Sequence, residues 1–126
     1  MSGRGQAWAL VFLLAAVLLF LLVVETARGG REPAVVTAIR QEFGTGWLGG
    51  CFAHIAWRES RYNARASNWT DTNGGSHGAL QINGVWRRPG ESARAFAARM
   101  YDPRQNAALA HSIYRRYGLQ PWGNPC

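Results

Sequence analysis

Hydrophobic positions along this chain change their spacing repeatedly, and each change marks an element. Residues 7 to 24, AWALVFLLAAVLLFLLVV, are apolar for eighteen positions without a charge or a helix breaker. That is near the lower limit for a helix crossing a bilayer, whereas an export signal pairs a basic start with a shorter apolar stretch of about 7–15 residues. The pattern predicts one transmembrane or signal helix within residues 1–29. Ala27-Arg28-Gly29 is an imperfect cleavage candidate for the second alternative.

After the break RGGREP at 28–33, the spacing becomes helical. Val35, Val36, Ile39 and Phe43 share one side of a first helix, so that residues 30–46 read as linker and helix. A second helix is predicted from about 47 to 60, with a start weakened by Gly49-Gly50. In it Leu48, Phe52, Ile55 and Glu59 follow at offsets of four, three and four, which puts Glu59 at the end of the apolar stripe. From Tyr62 to Ile82 periodicity disappears among asparagines, glycines and threonines, leaving room for a small hairpin at most. Ala93, Phe96, Ala97 and Met100 then form one helical face. Asp102-Pro103 opens a last helix that Gly118 is placed to end. The expected fold is a compact, mainly α domain over 47–126 with a loop-rich or minimal β-hairpin centre.

Composition sharpens this only in part. The net charge is +7, and every permanent cation is Arg. A basic exported domain would be drawn to anionic polymers or to acidic lipid headgroups. Nucleic acid is the other obvious partner, but the apolar N-terminal segment and the absence of a reader motif argue against it, and none is expected. Cys51 and the terminal Cys126 are too few for a structural zinc site. In an exported domain they are a disulfide candidate, the alternative being two unrelated buried thiols. His54 and His111 have no metal-ligand spacing, no phosphate-loop or dinucleotide fingerprint appears, and no cofactor or metal is expected.

Chemistry concentrates in WRESRYNARASNWTDTNGGSHGALQIN, residues 57–83. A glutamate that continues a core-facing stripe is partly desolvated, the setting in which a carboxylic acid can keep a proton to donate, unless Arg58 or Arg61 pairs with it. Trp69, Trp86 and Trp122 could offer flat faces to sugar rings, or simply fill a small core.

The stretch ESRYNARASNWTDTNGGSHGALQINGVW, followed by the Asp102-Pro103 helix with Asn106, Ala110 and Ile113-Tyr114, resembles the lysozyme superfamily, in particular soluble lytic transglycosylase domains. The resemblance covers about residues 47–126 and implies a lysozyme-like α+β fold. It implies Glu59 as the catalytic acid. It implies Gly78 where backbone approaches substrate, Gln81 as a cleft amide, and Tyr114 as the aromatic of the late helix. Ser76, His77, Asn83 and Trp86 fall among the implied substrate contacts. In animal-type lysozymes a second carboxylate occupies the position of Ser76, which here carries no charge. That departure favours the transglycosylase route, in which one glutamate protonates the leaving oxygen and then acts as base while the substrate's own 6-hydroxyl closes an anhydro ring. Asp71 is the candidate second acid, because goose-type relatives use acids in this loop to orient water. An Asx turn explains Asp71 equally well.

The resemblance therefore implies a monomeric peptidoglycan lytic transglycosylase that cleaves the MurNAc-GlcNAc bond. The expected placement is outside a bacterial cytoplasmic membrane, anchored through residues 7–24 or released after cleavage, with a phage or prophage origin as an option. Hydrolysis by Glu59 with Asp71, a non-catalytic peptidoglycan-binding membrane protein, and a basic membrane-disrupting protein are the competing readings.

Overall fold

The computed structural model describes residues 13–19 and 32–126. Glu32–Cys126 forms one compact unit, separate from Met1–Arg31. In the first unit, 13–19 are helical and the side chains of Leu13, Leu14, Val17, Leu18 and Leu19 are exposed. The expected membrane or signal helix is corrected here. Among the described residues no helix is long and apolar enough to cross a membrane. The anchor, the membrane as a partner and the membrane location are therefore not supported by the described residues. The rest of the 7–24 run and the Ala27-Arg28-Gly29 cleavage candidate lie outside the described residues.

Four helices build the second unit: α1 (Ala34–Phe43), α2 (Trp47–Ser60), α3 (Ala93–Met100) and α4 (Pro103–Tyr117). Helix α1 buries Val35, Val36, Ala38 and Ile39, and packs against α2 and α4. The chain turns into α2 through a close approach that only glycine permits. A Cβ on Gly49 would lie 1.8 Å from the Gly44 carbonyl oxygen. The last helix opens as its sequence predicts, with the Asp102 carboxylate accepting from the backbone N–H of Arg104 and Gln105. It ends at Gly118, whose N–H donates to the Tyr114 carbonyl.

The centre departs from the expected hairpin. Three two-residue strands, β1 (Ser67–Asn68), β2 (Ser76–His77) and β3 (Ile82–Asn83), form an antiparallel sheet in the order β1-β2-β3. Ser76 is opposite Asn68 on one side and Asn83 on the other, and His77 is opposite Ser67 and Ile82. Single turns of 3₁₀ helix at Thr72–Gly74 and Gly84–Trp86 flank it, and a third closes the tail at Gln120–Trp122.

The core lies between helices and sheet, where Phe52, Ile55, Leu80, Phe96, Met100 and Ile113 are buried. Phe43 stacks on Phe52 at 3.9 Å, and Trp122 meets Phe52 edge-on at 5.1 Å. The Trp122 indole N–H donates to the Leu80 carbonyl, fixing the tail to the core. Cys51 and Cys126 form a disulfide with Cα atoms 5.9 Å apart, so the pairing option for these cysteines is the one realised.

Candidate active site

Glu59 occupies the last turn of α2, just before two consecutive left-handed residues, Arg61 and Tyr62, turn the chain away. Its side chain is 28 % exposed. The Arg58 guanidinium donates to Glu59 Oε1 at 2.9 Å, and the same Nη2 also donates to the Trp122 carbonyl. Glu59 Oε2 makes no hydrogen bond with a described residue. The neighbouring Ser60 hydroxyl lies 3.0 Å from the Ala56 carbonyl and 2.8 Å from that of Ala79. The Glu-Ser end of α2 is thereby joined to the Gly78–Asn83 segment nineteen positions later.

That segment is held mostly by its own polar groups. His77 is fully buried, which differs from the exposed loop position its surroundings suggest. Its Nε2 lies 2.9 Å from the Gly74 carbonyl, an acceptor only, so Nε2 carries the proton. Nδ1 then accepts from the Ser67 hydroxyl at 2.8 Å, and Ser67 in turn bonds Tyr101. This engaged ring leaves no surface for a sugar. Gly78 is glycine for a packing reason. At φ +80°, a Cβ there would lie 2.2 Å from the Met100 carbonyl oxygen and 2.3 Å from Asn106 Nδ2. Asn106, buried in α4, receives the Leu80 N–H and donates to the His77 carbonyl. The Gln81 amide, on a residue with φ +48°, donates to the carbonyls of Ala66 and Gly78.

Ser76 is buried, and its hydroxyl donates to Asp71 Oδ2. Asp71 itself is exposed and caps the Thr72–Gly74 turn by accepting from the Thr72 N–H at 2.8 Å. The Asn83 amide reaches the same carboxylate at 3.4 Å. These donors, Ser76 first and then Thr72, hold the Asp71 carboxyl below the usual carboxylate range, so it is ionised at neutral pH. The uncharged Ser76 thus lies against the carboxylate of residue 71.

Gln81, Asn83 and Trp86 line a depression of about 70 Å³ together with Ile113 and Trp122. Glu59 does not line it; its connection runs through Arg58 to the Trp122 carbonyl. Trp122 is buried as part of the core, whereas Trp69 is exposed and packs on the His77 ring. Tyr114 is half-buried with its ring edge-on to Phe52 at 5.7 Å. Arg58 was one of two arginines the sequence offered as a partner for Glu59, but its further contact with the Trp122 carbonyl, 64 positions away, left no signal in the sequence. Asn106 had one, as a polar side chain on the inward stripe of α4.

Among the described residues no three His, Cys, Asp or Glu side chains cluster as metal ligands would. The Glu32–Cys126 unit is in sum a small mainly helical domain with a three-stranded sheet and one disulfide, in which a partly exposed glutamate is linked through Arg58 to the carbonyl of Trp122, one wall of an amide- and tryptophan-lined depression. Comparison with protein-family models, with characterised proteins and with solved structures found no match.

Proposed function

We propose that the Glu32–Cys126 unit cleaves the β-1,4 glycosidic bond of peptidoglycan, with Glu59 as the proton donor to the leaving oxygen. The observation that carries this reading is the Ser60 to Ala79 tie, which holds the Glu59 end of α2 against the segment bearing Gln81 and Asn83. Arg58 pairs with Glu59 Oε1, the contact that opposes an acid role in the isolated chain, so the reading requires that substrate open this pair; Oε2 has no partner among the described residues. In the one-glutamate route Glu59 donates its proton, the MurNAc 6-hydroxyl attacks the anomeric carbon, and the glutamate recovers a proton from that hydroxyl as the 1,6-anhydro ring closes. No external water enters.

One observation favours a second reading. The Ser76 hydroxyl and Thr72 N–H fix an ionised Asp71 in the loop facing the same strands, a group that could orient water for hydrolysis. Digestion of purified peptidoglycan by the full chain under oxidising conditions, with mass analysis of products, separates the two. Anhydro-MurNAc ends are expected, and Glu59→Gln should lower turnover by ~10³-fold or more. Asp71→Asn should then cost less than about tenfold. Reducing MurNAc ends together with a loss on the order of 10²-fold in Asp71→Asn would favour hydrolysis instead. Undiminished digestion by Glu59→Gln would overturn both.

A further inference from the structure

Ser67 and His77 take no part in the glycan chemistry above, yet they form a pair of their own. They are directly opposite each other across β1 and β2. Side chains alternate along a strand, so this pair points away from the face on which Ser76 bonds Asp71. Because Nε2 of His77 carries a proton toward the Gly74 carbonyl, Nδ1 presents a lone pair, and the Ser67 hydroxyl gives its one proton to it at 2.8 Å. The Tyr101 hydroxyl that also meets Ser67 Oγ is then the donor in that contact.

A hydroxyl bonded to a base, with the base oriented from its far side by a third group, is the arrangement that activates a serine. Packing fixes the base. A Cβ on Gly75 would lie 2.9 Å from both Cε1 and Nε2 of the ring, Trp69 packs on the ring at 4.4 Å, and Phe96 meets it edge-on at 6.0 Å. His77 is fully buried whereas Ser67 is exposed, so the base is shielded and the nucleophile opens to solvent. Two satisfied nitrogens account for the buried ring. They do not account for a second donor converging on the exposed Ser67 Oγ, which is where charge develops when a serine attacks a carbonyl.

We propose that Ser67 and His77 form a second catalytic site, separate from Glu59, that hydrolyses short acyl esters. Ser67 Oγ attacks the acyl carbon as its proton passes to His77 Nδ1, and the Tyr101 hydroxyl donates to the carbonyl oxygen as that oxygen gains charge. The bond to the alcohol oxygen breaks, His77 returns the proton to that oxygen, and the acyl group stays on Ser67. Water then attacks the acyl carbon and gives a proton to His77; Ser67 Oγ leaves, recovers that proton, and the carboxylic acid departs. Ester and water become acid and alcohol with no other reactant. The Gly74 carbonyl orients the base but carries no full charge to offset an imidazolium, so the site suits an alcohol leaving group rather than the poorer amine of an amide. Trp69 and Tyr101, both against the His77 ring, supply apolar surface for a short acyl chain.

The test treats the full chain, under oxidising conditions, with a fluorophosphonate that modifies activated serines, and locates the modified residue by peptide mapping. Hydrolysis of p-nitrophenyl acetate is followed in parallel. Modification at Ser67 is expected, and Ser67→Ala should lower protein-catalysed hydrolysis by ~100-fold or more. Tyr101→Phe should slow hydrolysis by roughly tenfold or more through loss of the donor. Ser112→Ala, which removes an exposed hydroxyl bonded to the Ala108 carbonyl, should change neither readout. The modification is read on the unaltered chain, so it does not depend on any variant folding. A folded chain left unmodified at Ser67, equal modification of Ser67 and Ser112, or hydrolysis that survives Ser67→Ala overturns the site. Peptidoglycan digestion is a separate measurement, and its absence would leave this result as it stands.

Discussion

At the scale of single residues, two glycines have opposite energetic meaning. Gly78 has φ +80° and faces the Met100 carbonyl and the Asn106 amide at 2.2 and 2.3 Å from where a Cβ would be. Gly50 lies inside α2, is exposed, and has nothing within 4 Å of the corresponding position. Gly78→Ala must therefore displace buried backbone or break the Asn106 bridge between α4 and the sheet. A loss of about 3 kcal/mol or more is expected in urea unfolding. Gly50→Ala should instead raise stability by roughly 0.5–1 kcal/mol, because alanine loses less backbone entropy in a helix. Equal effects of the two substitutions would refute the packing role given to Gly78. Gly50 was legible as a weak helix start and Gly78 only through the family resemblance; the α4 contact that requires glycine at 78 left no local signal.

Among elements, legibility follows the length of the period. Helices α1 to α4 each span at least two turns, enough for an apolar stripe and a cap to register, and Asp102-Pro103 and Gly118 mark α4 at both ends. Two-residue strands contain a single alternation and leave no pattern to read. The burial of Ser76 and His77 was hidden for a related reason. It depends on Tyr101 and Asn106, which reach the strands from 34 and 29 positions away. Glu59 was legible because a helical stripe aims it and Arg58 was a candidate partner beside it, while the Trp122 carbonyl that also engages Arg58 was not legible. The loop before α3 is fastened by another long contact. Glu91 accepts two bonds from the Arg99 guanidinium, at 2.8 and 2.9 Å, and one from the Arg88 N–H, with both side chains nearly buried. Arg99 above all holds the Glu91 carboxyl down from 4.5 to about 2. A depressed carboxyl stabilises the fold at all pH above its unfolded value and loses that contribution as pH falls. Thermal midpoints should be flat near neutrality and decline between pH about 4.5 and about 2. In Glu91→Gln the neutral midpoint should drop by several degrees and the decline should shrink. An unchanged acid limb in that variant would remove Glu91 as its cause.

For the whole molecule, one covalent bond joins the framework to the candidate site. The Cys51–Cys126 disulfide closes 75 residues between the middle of α2 and the end of the chain. In the chain-entropy account a loop of that length is worth about 4 kcal/mol through the unfolded state. The same bond keeps the tail in register. Trp122 walls the 70 Å³ depression, donates its indole N–H to the Leu80 carbonyl, and offers its own carbonyl to the Arg58 guanidinium that touches Glu59. Replacing both cysteines by serine should lower unfolding stability by about 4 kcal/mol. It should also increase hydrogen exchange at the Trp122 indole N–H under conditions where the fold persists, because the tail then opens without global unfolding. Activity on peptidoglycan, if Glu59 carries it, should fall by more than the unfolded fraction accounts for. A stability loss with unchanged indole exchange and with activity tracking only the folded population would mean that the disulfide restrains the unfolded chain alone. Faster indole exchange with an additional loss of turnover would make the tail a structural support of the Arg58 and Glu59 pair.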